Sequence, residues 1–295
     1  MNMATAVATS KVRRSPDGQT LLLILIVSYA VAVMLPLTGI SRASPFTVGP
    51  QIIAPALFAL VHGSKVYGWR GVLTLAAICL LVCNIVENLG VITGIPFGTY
   101  YFTGAMGPRL FHVPLTMGLA YFAIGYFSWT LALLIRNPME NRLNKSNVVV
   151  VPLLAGCIVV VWDCAFEPEW STVSRYWIWQ HGGPYFGVPL TNFLGWFLTN
   201  LVILQSFAFY IAKQRTAFAS LPRTYWRLSL FSYMLAILTN IIGSIVRFRH
   251  PPIYDPTGTQ WSSVFISFTS ILISILGMGG FAFLAWQNLR KTPSL

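Results

Sequence analysis

Apolar residues run in eight blocks, separated by short polar segments. The blocks are Leu21–Thr38, Pro50–Val66, Gly71–Val86, Val113–Ile135, Val148–Cys164, Val188–Ala212, Trp226–Val246 and Trp261–Trp286. A helix of about 20 apolar residues covers the hydrocarbon core of a bilayer. The pattern therefore predicts an all-α protein, a polytopic transmembrane helical bundle of about eight spans. The second block is short and carries Pro50 and Pro55, so it is the one candidate for a re-entrant segment. Residues 1–20 read as an N-terminal tail, 21–286 as a single integral membrane domain and 287–295 as a C-terminal tail. Lys11, Arg13 and Arg14 precede the first block, as in a signal peptide. Its apolar run is longer than a signal core and no convincing small-x-small cleavage site follows, so it reads as a retained helix.

Composition narrows the class. Of the 295 residues 56% are hydrophobic and only 9% charged, against about 25% in soluble domains. The mean hydropathy is +0.68. That excludes a soluble enzyme, a disordered chain and a collagen-like one. The net charge of +12 would suggest nucleic acid in a soluble protein, but here the charges sit in loops between apolar blocks, and no nucleic-acid partner is expected. With eight spans, Arg42, Arg109, Arg175, Arg247 and Arg249 fall on one side and the other 14 of the 19 Lys and Arg on the opposite one. The positive-inside rule then predicts a multi-pass protein of the cell membrane with both termini cytoplasmic. The cysteines, Cys79, Cys83, Cys157 and Cys164, form no CxxC pair and read as packing residues.

The chain contains an internal echo. Val113-Pro-Leu-Thr-Met-Gly-Leu-Ala-Tyr-Phe122 aligns with Val188-Pro-Leu-Thr-Asn-Phe-Leu-Gly-Trp-Phe197 at an offset of 75. Each copy follows a Gly/Tyr-rich loop, and each loop follows an apolar helix ending in a carboxylate, Glu87 or Asp163. The spacing from carboxylate to proline is 27 in one copy and 26 in the other. The reading is a tandem repeat of helix–loop–helix units opening on the same side.

Seven acidic residues are few enough to weigh singly. Asp17, Glu140 and Asp255 read as solvated charges. Glu87, Asp163, Glu167 and Glu169 sit at the ends of spans beside the two loops, where a carboxylate is costly and is a functional candidate by default. An ion pair to Arg109 or Arg175 is the structural alternative. Asp163 and Glu167 are four apart and share a helical face, provided that Pro168 does not end the helix first. The same loops are crowded with aromatic residues, which suit either an interfacial belt or a π-rich pocket for a long hydrocarbon and a transient carbocation. His62, His112, His181 and His250 form no H-x-x-H or H-x-x-x-H pair, and no Asp-rich diphosphate motif or dinucleotide fingerprint is present. An enzyme built this way would work with carboxylates and water, without metal or cofactor.

Two runs resemble the CruF-type carotenoid biosynthesis proteins, a family that includes carotenoid 1,2-hydratases and bisanhydrobacterioruberin hydratase. The first is Glu87-Asn-Leu-Gly-Val-Ile-Thr-Gly-Ile-Pro-Phe-Gly-Thr-Tyr-Tyr-Phe-Thr103 with Gly107-Pro-Arg-Leu110 and Val113-Pro-Leu115. The second is Trp162-Asp163, Glu167-Pro168, Trp177-Ile-Trp179 and Gly183-Pro-Tyr-Phe-Gly-Val-Pro-Leu-Thr-Asn-Phe-Leu-Gly-Trp196. The resemblance covers residues 79–212. It departs at Glu167-Pro168, where the family pattern has Asp-Pro, a change of one methylene, and near Tyr121 and Thr99, where the pattern has a Trp and a basic residue.

The resemblance implies hydration of the terminal C1=C2 double bond of an acyclic carotenoid end to a tertiary alcohol. Asp163 or Glu167 is the expected acid, and Glu87 the partner that orients water. Tyr100, Tyr101, Trp177, Trp179, Tyr185, Asn192 and Trp196 are expected to position substrate. The implied partners are an acyclic carotenoid, membrane lipid and other enzymes of the carotenoid pathway. A transporter or binding protein for isoprenoid lipids, and a non-catalytic scaffold, remain as alternative readings.

Overall fold

The structure, a computed structural model, describes residues 17–34, 45–136, 143–214, 221–247 and 251–291. Lys11, Arg13, Arg14, Arg42, Glu140, Arg142, Arg215 and Arg249 lie outside the described residues, as do the end of the first apolar block and the last four residues of the C-terminal tail. The helices are α1 (Asp17–Met34), α2 (Pro45–Thr93), α3 (Leu115–Arg136), α4 (Asn147–Glu167), α5 (Leu190–Lys213), α6 (Arg223–Arg247), α7 (Ser263–Leu272) and α8 (Gly279–Lys291). A helical bundle is the solution expected of such a sequence, because lipid offers the backbone no hydrogen bonds and each span must satisfy its own. Six of the described helical segments are long and apolar enough to cross a membrane.

One of these six is two helices. Gly68 breaks α2 with φ 70° and ψ 166°, a conformation that only glycine adopts cheaply. The chain reverses there. A Cβ placed on Gly63 would lie 2.6 Å from Cγ2 of Val72, whereas nine residues along a straight helix span about 13.5 Å. The arm of residues 45–67 runs from Gln51 and Pro55, beside Ser174, to Tyr67, whose hydroxyl takes the Trp129 indole N–H at 2.9 Å. The block with Pro50 and Pro55 is thus helical throughout.

α3 is the central helix. Nearly all of its residues from Met117 to Leu134 are buried, while the other helices expose large apolar side chains such as Leu81, Ile92, Phe209 and Leu276. Two helices run on through π-helical turns. α4 continues through Pro168 as a π-helical turn, Pro168–Val173, and α7 continues into α8 through another, Ile273–Met278. Proline is tolerated in the first because a π-turn shifts the hydrogen-bonding partners.

The tandem repeat is visible in three dimensions. The second arm of α2 with α3 forms one helix–loop–helix unit, and α4 with α5 forms the other. Their loops meet as a two-stranded antiparallel sheet, β1 (Tyr100–Phe102) on β4 (Trp177–Trp179), with Tyr100 opposite Trp179 and Phe102 opposite Trp177. Tyr121 and Trp196, related by the offset of 75, stack on each other with centroids 4.3 Å apart and rings 4° from parallel. Equivalent residues meeting each other is the mark of an approximate two-fold relation. Short ribbons β2 (Arg109–Leu110) on β3 (Val113–Pro114) and β5 (Ile253–Tyr254) on β6 (Gln260–Trp261) complete the loop end.

The two units are locked by Phe97. Its fully buried ring lies where a Cβ would stand on Gly90 (2.8 Å) and on Gly195 (2.4 Å). Gly195→Ala is therefore expected to displace Phe97 and the loop behind it. Overpacking of this kind costs about 1–3 kcal/mol. Thermal unfolding of the purified protein should begin several degrees lower, about 2–4 °C per kcal/mol at this size. An unchanged midpoint would show that Phe97 is not clamped.

Candidate active site

Under the two-stranded sheet, strand alternation sends Tyr100, Phe102, Trp177 and Trp179 inward and Tyr101 outward. The inward side chains meet three carboxylates carried by the second arm of α2 and by α4. Glu87, Asp163 and Glu167 are each at most 3% exposed, and they lie within electrostatic reach of one another. The shared helical face of Asp163 and Glu167 survives because α4 does not end at Pro168.

The three are held differently. Glu87 accepts hydrogen bonds on both oxygens, from the Tyr100 hydroxyl on Oε2 and from the Tyr121 hydroxyl at 2.7 Å on Oε1. Burial, and then the neighbouring Glu87 carboxylate, push the Tyr100 phenol well above its ordinary value, so it stays a donor. Glu167 accepts two indole N–H groups on one oxygen, from Trp177 and from Trp179, each at 2.8 Å. Asp163 accepts one amide N–H, from Asn192 at 2.8 Å on Oδ2. Arg109 and Arg175 donate to the carbonyls of Phe102 and Tyr254.

Asp163 and Glu167 face a cavity that Glu87 does not line. It is small, about 10 Å³, and its other walls are Met117, Ala120, Ile124, Trp162, Phe166, Trp170, Trp177 and Trp196. That is about the room one water molecule needs. Ala120, Ile124, Trp162, Phe166 and Trp170 also line a second, larger cavity of about 130 Å³. The larger cavity extends between α1, the first arm of α2, α3 and α6, and it is mostly apolar. The two cavities thus adjoin through these five residues, the smaller one reaching Asp163 and Glu167 and the larger one Glu169.

The remaining sequence candidates fall into place around this core. Trp196 lines the small cavity and stacks on Tyr121. Tyr185 donates to the Cys164 carbonyl at 2.8 Å, next to Asp163. Tyr101 is 46% exposed on the outer face of the sheet and is not brought to the carboxylates. Glu169 lines the larger cavity, with the Ser174 hydroxyl 3.2 Å from Oε1. Tyr121 and Ala120 are not among the site residues expected from the sequence. The signal for Tyr121 was present, since it stands 75 residues before Trp196.

Asp255 is not a solvated charge. It is 9% exposed and closes the turn between β5 and β6. It accepts from the Trp261 indole (2.9 Å), the Thr257 amide (2.9 Å) and hydroxyl (2.6 Å), and the Thr259 amide (3.1 Å). Burial alone would raise its carboxyl, but these hydrogen bonds outweigh burial and hold it below the usual aspartate value.

No solved structure matches the chain. A stretch of 141 residues is 30% identical to bisanhydrobacterioruberin hydratase of Haloarcula japonica, covering 48% of this chain and 45% of that protein. The chain therefore spans less than half the length of this relative. The profile of the family described as "Carotenoid biosynthesis protein" matches residues 46–254. That match takes in both helix–loop–helix units and the carboxylates Glu87, Asp163 and Glu167, and the chain belongs to the carotenoid biosynthesis protein family.

Proposed function

We propose that the protein hydrates the terminal C1=C2 double bond of an acyclic carotenoid end group, giving a tertiary alcohol. The observation that carries this reading is the Asp163–Glu167 pair at the end of an apolar cavity with room for one water. The family membership and the hydratase relative support the substrate class.

The differing hydrogen bonds suggest how the two carboxyls divide the work. Two N–H donors on one oxygen suit an ionised Glu167. Asp163, with a single donor, is the better place for a proton, and two close carboxyls favour sharing one. Asp163 protonates C2 of the end group, and the π electrons of the double bond form the new C–H bond. The tertiary cation left at C1 faces the indoles of Trp162, Trp177 and Trp196. Water in the cavity bonds to C1 through its oxygen and gives a proton to Glu167. That proton returns to Asp163. The sum is one water added, with no electron gained or lost. Glu87, held by two tyrosines outside the cavity, positions the sheet strand and α3.

The proposed setting is the cell membrane, with the loop end on the outer side and both termini in the cytoplasm, as a single membrane domain. Apolar substrate reaches the larger cavity from the bilayer, where other carotenoid-pathway enzymes would release it.

Expression in a host that accumulates lycopene tests the reaction. Pigments are separated by liquid chromatography and weighed, with a parallel culture in oxygen-18 water. The expected product is heavier than its precursor by one water and carries the label. Pigment that co-purifies with the protein unchanged, here and with a longer acyclic carotenoid, would instead favour carriage without chemistry.

A further inference from the structure

The outer side of the two-stranded sheet bears a polar basin. Its walls include Ser171 and Thr172 from the π-turn, Arg175, the outward-facing Ile178, and Asp255 from the β5–β6 turn. It measures about 340 Å³, against about 10 Å³ beside Asp163 and Glu167. Two tryptophans stand between these spaces. Trp177 lines the carboxylate cavity and Trp179 lines the basin, yet both donate to the same oxygen of Glu167. Ser171, in the basin wall, donates to the Glu167 carbonyl at 2.9 Å. Glu167 is thus held by one indole from each side of the partition. In the other direction the cavity is bounded by Trp162, Phe166 and Trp170, stacked at 4.2 Å and edge-on at 6.2 Å. Those rings give water little to bond to.

Each hydration consumes one water from a space that holds about one, so the water must be replaced from outside. We propose that the polar basin is the water inlet of the site and that the Trp179 indole is the partition water passes to reach Glu167. The inference rests on the hydration reading for its purpose, and on the two-sided Glu167 contact for its place. The doubled hydrogen bond explains how a partition can open without loss of the site. If Trp179 swings toward the basin, Trp177 still fixes the carboxylate. Trp179 is in this sense a positioning residue.

The test uses the full-length protein in proteoliposomes, in a Cys157→Ser, Cys164→Ser background. Glu167→Cys, or Asp163→Cys if that variant does not insert, is treated with a charged, membrane-impermeant methanethiosulfonate. Adding Trp179→Ala is expected to raise the labelling rate at least tenfold, and equal rates would overturn the proposal. Separately, Ile178→Cys in the basin wall is modified with a bulky thiol reagent. Hydration should fall at least tenfold while bound carotenoid is retained. Undiminished hydration after complete modification, verified by mass, would also overturn it. The labelling readout needs no turnover. Accelerated labelling in a protein that yields no hydrated pigment would refute the hydration reading and leave the inlet standing.

Discussion

Asp163→Asn is expected to reduce formation of hydrated pigment by a factor on the order of 10²–10⁴, the usual worth of a positioned general acid. The substitution keeps the shape of the side chain. The amide oxygen still accepts the Asn192 N–H that Asp163 Oδ2 now takes at 2.8 Å, so the cavity wall should stand. What is lost is a transferable proton. Glu167→Gln should also impair the reaction, because its oxygen still receives the Trp177 and Trp179 donors but the group no longer takes a proton from water. Tyr101→Phe, on the outer face of the sheet, should leave turnover near normal. Pigment formed per unit of membrane-inserted protein, measured by chromatography and immunoblot, decides the matter. Near-normal turnover in Asp163→Asn would refute the assignment of the acid.

Ala120→Phe is expected to abolish turnover by a different route. Ala120 lines both cavities, so it stands where the proposed space for hydrocarbon adjoins the carboxylates, and the proposed route of substrate passes it. A phenyl ring there fills the junction. Because it enters existing empty space, the strain should stay within the about 1–3 kcal/mol typical of overpacking, and the protein should still insert. Carotenoid should no longer reach Asp163, and hydration should fall at least a hundredfold, while Ala120→Gly keeps the junction open and activity present. The check is pigment yield beside the amount of folded protein on size-exclusion chromatography. Full activity in Ala120→Phe would mean that substrate approaches from elsewhere.

The two substitutions probe things that became legible at different levels. The all-helical nature of the bundle follows from the sequence, because hydrocarbon admits only segments that satisfy their own backbone. The apolar blocks mark those segments directly. Where the second block ends is likewise a local fact, a glycine at position 68 free to adopt φ 70°. The repeat was equally legible, since the offset of 75 is a property of the string, and so were the carboxylates, whose presence in apolar surroundings needs a reason.

Which carboxylates share a cavity was not legible. Glu87 and Asp163 occupy equivalent positions in the repeat, and nothing local tells them apart. The structure separates them because Phe97, lodged against Gly90 and Gly195, together with Tyr100 and Tyr121, fills the space around Glu87. Asp163 and Glu167 instead face an opening. The continuation of α4 past Pro168 was likewise hidden, because a π-turn depends on contacts made by the loop and not on the proline itself. Asp255 reads as a charge in a turn, and the Trp261 indole, the Thr257 amide and hydroxyl and the Thr259 amide together make it a buried acceptor. Composition and periodicity set which segments must leave water. Packing between segments distant in the chain decides which polar atoms are enclosed, which are sealed by partners, and which are left facing a cavity where chemistry can occur.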